Sequence, residues 1–277
     1  MQIRDYSLPA GWFPRDSGAV SEFLANFPQN SGSCRAAISP HAGWYYSGAL
    51  AALGASSLKP NAQTVVVLGG HLGAGYAPLF AMEDAVRTPF GHMEIDAALR
   101  QALIKELDGA EDRYRDNTIE VLLPMVHYFF PKAALLWLRL GAEMESLEAG
   151  KILSDIAAKL NRKIVVLAST DLTHYGQNYG FSPKGGGKAA LKWVREVNDA
   201  NFIKAVESGD GGEVLRLAER EHAACSAGAV LGAMGFAQAE DSGKARLLEY
   251  ATSADKEQGE SFVPDSFVGY AAFAFDG

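Results

Sequence analysis

Thr64-Val-Val-Val-Leu-Gly-Gly-His71 and Lys163-Ile-Val-Val-Leu-Ala-Ser-Thr-Asp-Leu-Thr-His174 decide the fold of this 277-residue chain. In each, a short aliphatic run ends in small residues and leads to a histidine. A strand with one wet face alternates apolar and polar side chains. Val65–Leu68 and Ile164–Leu167 are apolar throughout, so they read as strands buried on both faces of a sheet. Working outward, further strands are expected at Ala36–Ser39, Leu79–Met82, Ala134–Leu140, Arg246–Thr252 and Phe267–Phe275. Between and around them the apolar spacing predicts helices over about 19–26, 47–58, 94–107, 119–130, 144–161, 187–207, 211–222 and 225–239. Strands alternating with helices predict an α/β sandwich with a mostly parallel or mixed central sheet covered by helices. The last two strands have no helix between them and predict an antiparallel pair. With no low-complexity linker and no internal repeat, one domain over residues 1–277 is expected.

Apolar residues make up 48% and charged residues 21%, the balance of a globular chain rather than a disordered one. Thirty-three acidic against 25 basic residues give a net charge of −8, with the two signs well mixed. Neither nucleic acid nor an anionic membrane is expected as a partner, because phosphate surfaces require a concentrated positive field. Two cysteines, Cys34 and Cys225, are too few for a disulfide framework. Cys34, just before a strand, reads as core. The first residues hold no apolar run fit to be a signal core, and no apolar stretch of about 18 residues follows, so a cytoplasmic location is expected.

In α/β sheets ligands gather beyond the carboxyl ends of the strands. Three of the six histidines fall there: His41 after Ala36–Pro40, His71 after Thr64–Leu68 and His174 after Lys163–Ala168. All lie among Gly, Ser, Thr or Pro, which let the backbone turn sharply beside a ligand. Any one alone reads as a hydrogen-bonded loop residue; three at equivalent ends converge on one rim. Imidazole suits Fe, Cu and Zn, and two histidines with one anionic ligand leave coordination positions open. Cys225, opening a helix of small residues, is a candidate third ligand because a helix N-terminus favours its thiolate. The alternative is a small buried hydrophobe between helices. Asp171 and His174 form a D-x-x-H pair in which the carboxylate fixes the imidazole as a general acid or base, or else Asp171 caps a turn. His92 and His127 read as structural and His222 as a surface residue. Gly69–Gly75 fails the dinucleotide fingerprint. Pro183-Lys-Gly-Gly-Gly-Lys188 fails the Walker spacing and reads as a flexible loop or lid.

Pro40-His-Ala-Gly-Trp-Tyr-Tyr-Ser-Gly48 and Ser169-Thr-Asp-Leu-Thr-His-Tyr-Gly176 together resemble the two most distinctive motifs of the Memo family, also called AmmeMemoRadiSam system protein B. Pro9-Ala-Gly-Trp-Phe-Pro14, Thr88-Pro-Phe-Gly91, Thr118-Ile-Glu-Val-Leu-Leu-Pro124 and Ala224-Cys-Ser-Ala-Gly228 extend the resemblance over nearly the whole length. It implies the fold of class III extradiol dioxygenases and a metal pocket at His41, His71 and Cys225, with His174 and Asp171 beside it. It also implies iron or copper binding, redox chemistry or protein-partner roles, and a radical-SAM protein as a partner. Two departures stand out. Leu68-Gly-Gly-His71 is one residue shorter than the family's turn and lacks its proline, and Asn117 occupies the place of a pocket histidine.

The first expectation is therefore a dioxygenase-like oxidoreductase holding one transition metal, Fe(II) foremost, with Cu or Zn as alternatives. Its small substrate would sit against Trp12, Trp44, Tyr45, Asn117 and Tyr175. The other expectation is a non-catalytic protein that binds a peptide or a partner subunit in the same aromatic cleft. Hydrolysis by a zinc-bound water is a third reading that the resemblance lowers.

Overall fold

In the computed structural model, which describes residues 1–256 and 263–276, the fully apolar runs are the middle of the sheet. Strands β1 (Ala36–Ser39), β2 (Thr64–Leu72), β3 (Ala134–Gly141) and β4 (Ile164–Ser169) run parallel in the spatial order β1-β4-β2-β3. The predicted antiparallel pair follows: β5 (Ala245–Thr252) pairs with β6 (Ser266–Phe275), and β6 pairs antiparallel with β1. Leu79–Phe80, Ala110–Glu111 and His174–Gly176 complete a mixed nine-stranded sheet.

Alternate residues of each strand feed opposite cores, as the two-residue period requires. Val66, Leu68, Leu136, Leu138 and Val166 face one way and pack on helices that include α2 (Glu145–Lys159) and α3 (Ala227–Ala239). Val65, Val67, Leu135, Trp137 and Leu167 face the other way, toward α1 (Trp44–Ser56) and the residues around Leu122–Val126. Helix α3 is buried on all sides because it is wedged between the sheet and α2. The two helices touch backbone to backbone: a methyl group at Gly150 would stand 2.0 Å from the Gly232 carbonyl oxygen.

Several boundaries differ from expectation, each for a local reason. The helix over 119–130 is two pieces, Asn117–Glu120 and Leu123–Phe129. Pro124 opens the second because it lacks the N–H that would continue the first. The helix over 94–107 starts at Ala97, where the Asp96 carboxylate accepts from the Leu99 N–H. Residues Gly91–Glu94 instead form a hairpin strand with Ala85–Thr88 around Gly91, whose φ is +113°, and Ile3–Arg4 joins them in a small second sheet. The helix over 187–207 contains a π-turn at Val194–Asn198. Among the described residues no helix is long and apolar enough to cross a membrane.

Candidate metal centre

The parallel strands deliver their carboxyl ends to one rim. His41 follows β1, His71 is the penultimate residue of β2, and β4 ends between them at Ser169. The two imidazoles meet edge to face, with ring centroids 4.9 Å apart. Cys225 comes from the loop entering α3, which is stitched onto the end of β4. Its N–H donates to the Asp171 carbonyl at 3.2 Å, the Asp171 N–H donates to its sulfur at 3.3 Å, and the Ser226 N–H donates to Thr170 Oγ1 at 3.2 Å. The glycine before His71 is what lets this loop approach. A Cβ at Gly70 would stand 2.4 Å from the Ser226 Cβ. His71 itself is left-handed, with φ +56°, a conformation costing on the order of 1 kcal/mol for a residue with a side chain.

Cys225 Sγ lies 3.2 Å from His41 Nε2, and one ligand atom from each of His41, His71 and Cys225 falls within 4.8 Å of the others. Each ring is held through Nδ1. For His41 the partner is the Ser169 hydroxyl at 2.6 Å; for His71 it is the Asp116 carboxylate at 2.9 Å. Asp116 is in turn 3.4 Å from Arg139 Nη2, and buried Arg139 also pairs with Asp112 and donates to the Gly70 carbonyl. Further bonds fix the His41 backbone: its N–H donates to Asp171 Oδ1 at 2.7 Å and its carbonyl accepts from Asn117 Nδ2 at 3.0 Å. Both Nε2 atoms are thereby left toward the sulfur, the arrangement in which outer hydrogen bonds aim histidine ligands at an ion.

The electrostatics favour the thiolate of Cys225, with a protonated His71 as its counter-ion until a metal displaces that proton. Burial pushes the Cys225 thiol up, but the adjoining His41 and His71 more than reverse this and bring it to about 6. Burial opposes the charge on His71, yet the hydrogen bond to Asp116 and the neighbouring sulfur raise it to about 10. Although burial resists it, His71, Thr118 and Arg139 hold Asp116 well below the usual carboxylate range. The sulfur is thus a thiolate near neutral pH, and the thiolate is the form that binds a metal. Two imidazoles with anchored outer nitrogens and one thiolate fit a single transition-metal ion.

A cavity of about 680 Å³ opens beside the cluster, lined by Trp12, Tyr46, His71, Asn117, Asp171, His174, Tyr179 and Tyr270 among others. Trp12 and Asn117 therefore stand where the sequence put them, whereas three other expected wall residues do not. Trp44 is buried in the core with its indole N–H on the Val121 carbonyl, and Tyr45 points to solvent. They are successive with Tyr46 on a helix, so the three side chains point about 100° apart and only Tyr46 reaches the cavity. Tyr175 follows His174 in a strand and faces the opposite way, stacked on Phe267 at 5.1 Å. Its hydroxyl binds the backbone of Lys184 and Gly185, which pins the glycine-rich loop there; that loop is not part of the cavity lining.

His174 and Asp171 share the cavity, but the carboxylate does not orient the ring. His174 Nδ1 donates to the Leu172 carbonyl at 3.1 Å, while Asp171 is spent on the His41 backbone. Burial holds the His174 imidazole below its usual pKa and pushes the Asp171 carboxyl up. A neutral His174 with Nδ1–H committed presents an Nε2 lone pair. His222 is an exposed helix cap, as expected, and Cys34 is buried. Sequence reasoning missed Asp116, Arg139, Ser169 and Tyr46. The signal for Arg139 was visible as a lone charge within the apolar strand Leu135–Leu140; Asp116 and Ser169 carry none that local pattern reveals.

The sequence is similar to those of several known proteins. A MEMO1 family protein of Pyrococcus horikoshii is 28% identical, with 98% of each chain covered. One of Methanopyrus kandleri is 30% identical over 89% of this chain and 85% of its own, and one of Methanosarcina mazei is 30% identical over 85% and 84%. Among solved structures, an uncharacterised protein of Escherichia coli K12 aligns over 85% of this chain and 98% of its own at 14% identity, with a TM-score of 0.45. The family described as Memo-like protein matches residues 4–274, which takes in His41, His71 and Cys225 and all but the last residue of the sheet, and the chain belongs to that family.

Proposed function

We propose that this protein binds one transition-metal ion, iron(II) before copper or zinc, between His41, His71 and Cys225, and acts as a redox protein on a small molecule held in the adjoining cavity. The observation that carries the proposal is the anchoring of both imidazoles through Nδ1, which turns two Nε2 atoms toward a half-buried thiolate. A metal bound there supplies redox activity and polarises a ligand at an open position. The chain's own residues do the rest. Trp12, Tyr46, Tyr179 and Tyr270 wall the cavity with aromatic surface, and His174 Nε2 accepts a proton from an acidic group of the bound molecule. A thiolate is softer and more oxidisable than the carboxylate of extradiol enzymes, so slow catechol cleavage is expected even with iron bound.

The test is elemental analysis of the native protein purified without chelator, beside Cys225→Ala. About one equivalent of a transition metal in the first and a deep loss in the second are expected. Equal metal content in both, or none in either after anaerobic reconstitution with Fe(II), overturns the proposal. Oxygen uptake with a panel of catechols then separates ring cleavage from other redox chemistry. Tyr46 and Tyr179 line the cavity yet remain exposed at 42% and 47%, which favours a second reading, an extended peptide or partner such as a radical-SAM protein seated across the same opening. Under that reading His41→Ala leaves partner binding intact while abolishing metal retention.

A further inference from the structure

At the opposite rim, where the parallel strands begin, lies a second cavity of about 650 Å³ between the starts of β2 and β3 and the hairpin strand Gly91–Glu94. Its walls carry His92, Glu94, Asp96, His127, Lys132 and Arg162. The acidic side of this set is largely spent. Asp96 caps the helix Ala97–Leu107 through the Leu99 N–H, and it accepts from Thr64 Oγ1 at 2.7 Å and from Arg162 Nε at 3.1 Å. Glu94 is left as the one carboxylate with no partner among the described residues.

The donors, by contrast, are in excess. Lys132 makes no ion pair among the described residues, and Arg162 keeps both terminal nitrogens free after giving Nε to Asp96. His127 is held through Nδ1 by the Thr88 hydroxyl at 2.6 Å, which leaves its Nε2, and His92 has no hydrogen-bond partner among the described residues. Burial, and then the neighbouring His92, hold the His127 imidazole below its usual pKa. Lys132 and Arg162 bring positive charge to the space, and Asp96 answers only the Nε of Arg162. Ala97 and Ala98, the first two residues of the capped helix, also border the space, so the positive end of its dipole has the same sign.

We infer that this cavity binds a small oxyanion, a phosphate or a carboxylate, between Lys132, the free fork of Arg162 and the imidazoles of His92 and His127. A cation is disfavoured by the same set. Among the described residues only His41, His71 and Cys225 bring three ligand atoms within 4.8 Å, so His92, His127 and Glu94 are not drawn together as a coordination shell. The guanidinium offers planar, paired donors to an oxyanion, and the ammonium adds a point charge beside them. Nothing in this inference depends on the metal centre, which occupies the other end of the strands.

The test is titration of the full chain with inorganic phosphate and, separately, malonate at constant ionic strength, followed by NMR of the histidine side chains. Saturable shifts of the His92 and His127 signals with either anion, with His41 and His174 unmoved, are expected. Lys132→Ala, an exposed side chain whose loss leaves the fold alone, is expected to weaken binding by about ten-fold, the scale of one charge-assisted contact. Arg162→Gln is expected to do at least as much, with its fold checked by circular dichroism because Asp96 loses a partner. Which of the two anions saturates first distinguishes a phosphate from a carboxylate ligand, and either supports the inference. Shifts that rise linearly with both anions, or binding unchanged in Lys132→Ala, overturn it.

Discussion

Asp199 is fully buried beneath the segment that carries His174, and its carboxylate gathers the Thr173 N–H and hydroxyl and the Tyr250 hydroxyl. Burial outweighs these donors and pushes it up to about 6 from an ordinary 3.8. A carboxyl whose folded pKa lies above its unfolded value stabilises the protein most when protonated, so its contribution is lost as pH rises from about 4 to about 6 and is flat above that. Between those limits the wild type is expected to lose on the order of 3 kcal/mol relative to Asp199→Asn. Urea midpoints of both proteins at pH 4 and pH 7 measure this, and equal pH slopes would refute it. A second expectation concerns Asp116, which holds His71 through Nδ1. Asp116→Asn keeps a polar partner but loses the charge, and a loss of about 10–100-fold in metal affinity is expected by chelator competition. An unchanged affinity would show that the carboxylate does not tune His71. At this scale the sequence was partly legible. His41, His71 and Cys225 could be named because strand ends and a helix entrance are visible in local pattern, whereas Asp116 and Ser169 act across strands. Tyr175 was misread because a one-residue step along a strand reverses the face.

Helix α3 shows what an element costs when it is buried on every side. Its glycines let α2 come within backbone contact. Gly150→Ala places a methyl group 2.0 Å from the Gly232 carbonyl oxygen and 2.7 Å from the Phe236 nitrogen, both rigid backbone atoms. The seam must open, and a destabilisation of at least about 2 kcal/mol is expected from overpacking, although alanine is the better helix former. Denaturant unfolding of the variant checks this; a gain in stability would mean that the helices slide apart freely. The central strands followed from short, fully apolar runs and α3 from a longer run of small residues, since length separates a strand from a helix that is buried all round. What periodicity hid were the short pieces: the hairpin around Gly91, too brief to show alternation, and the break before Pro124, where an apolar run continues across two helices.

For the molecule as a whole, the cluster adds a link between parts of the chain already joined by strand pairing and by the hydrogen bonds of the Cys225 loop. Its side chains come from residues 41, 71 and 225, two strand ends on either side of β4 and the loop that launches α3. The convergence of strand ends was legible in the sequence because parallel topology imposes it. The opposite rim was not, since His92 and His127 come from a hairpin and a helix whose meeting no local pattern encodes. An ion that binds the native cluster but not the unfolded chain stabilises the whole sheet by mass action, about 4 kcal/mol when free ion exceeds its Kd a thousandfold. For a chain of this length that corresponds to a rise in Tm of roughly 10 °C. Metal-loaded and chelator-stripped protein compared by calorimetry should show it. Cys225→Ala should melt at one temperature in both conditions, whereas Lys132→Ala, altered only at the far rim, should keep the full difference because distant sites contribute additively. A difference that survives in Cys225→Ala would place the stabilising ion somewhere other than between these three side chains.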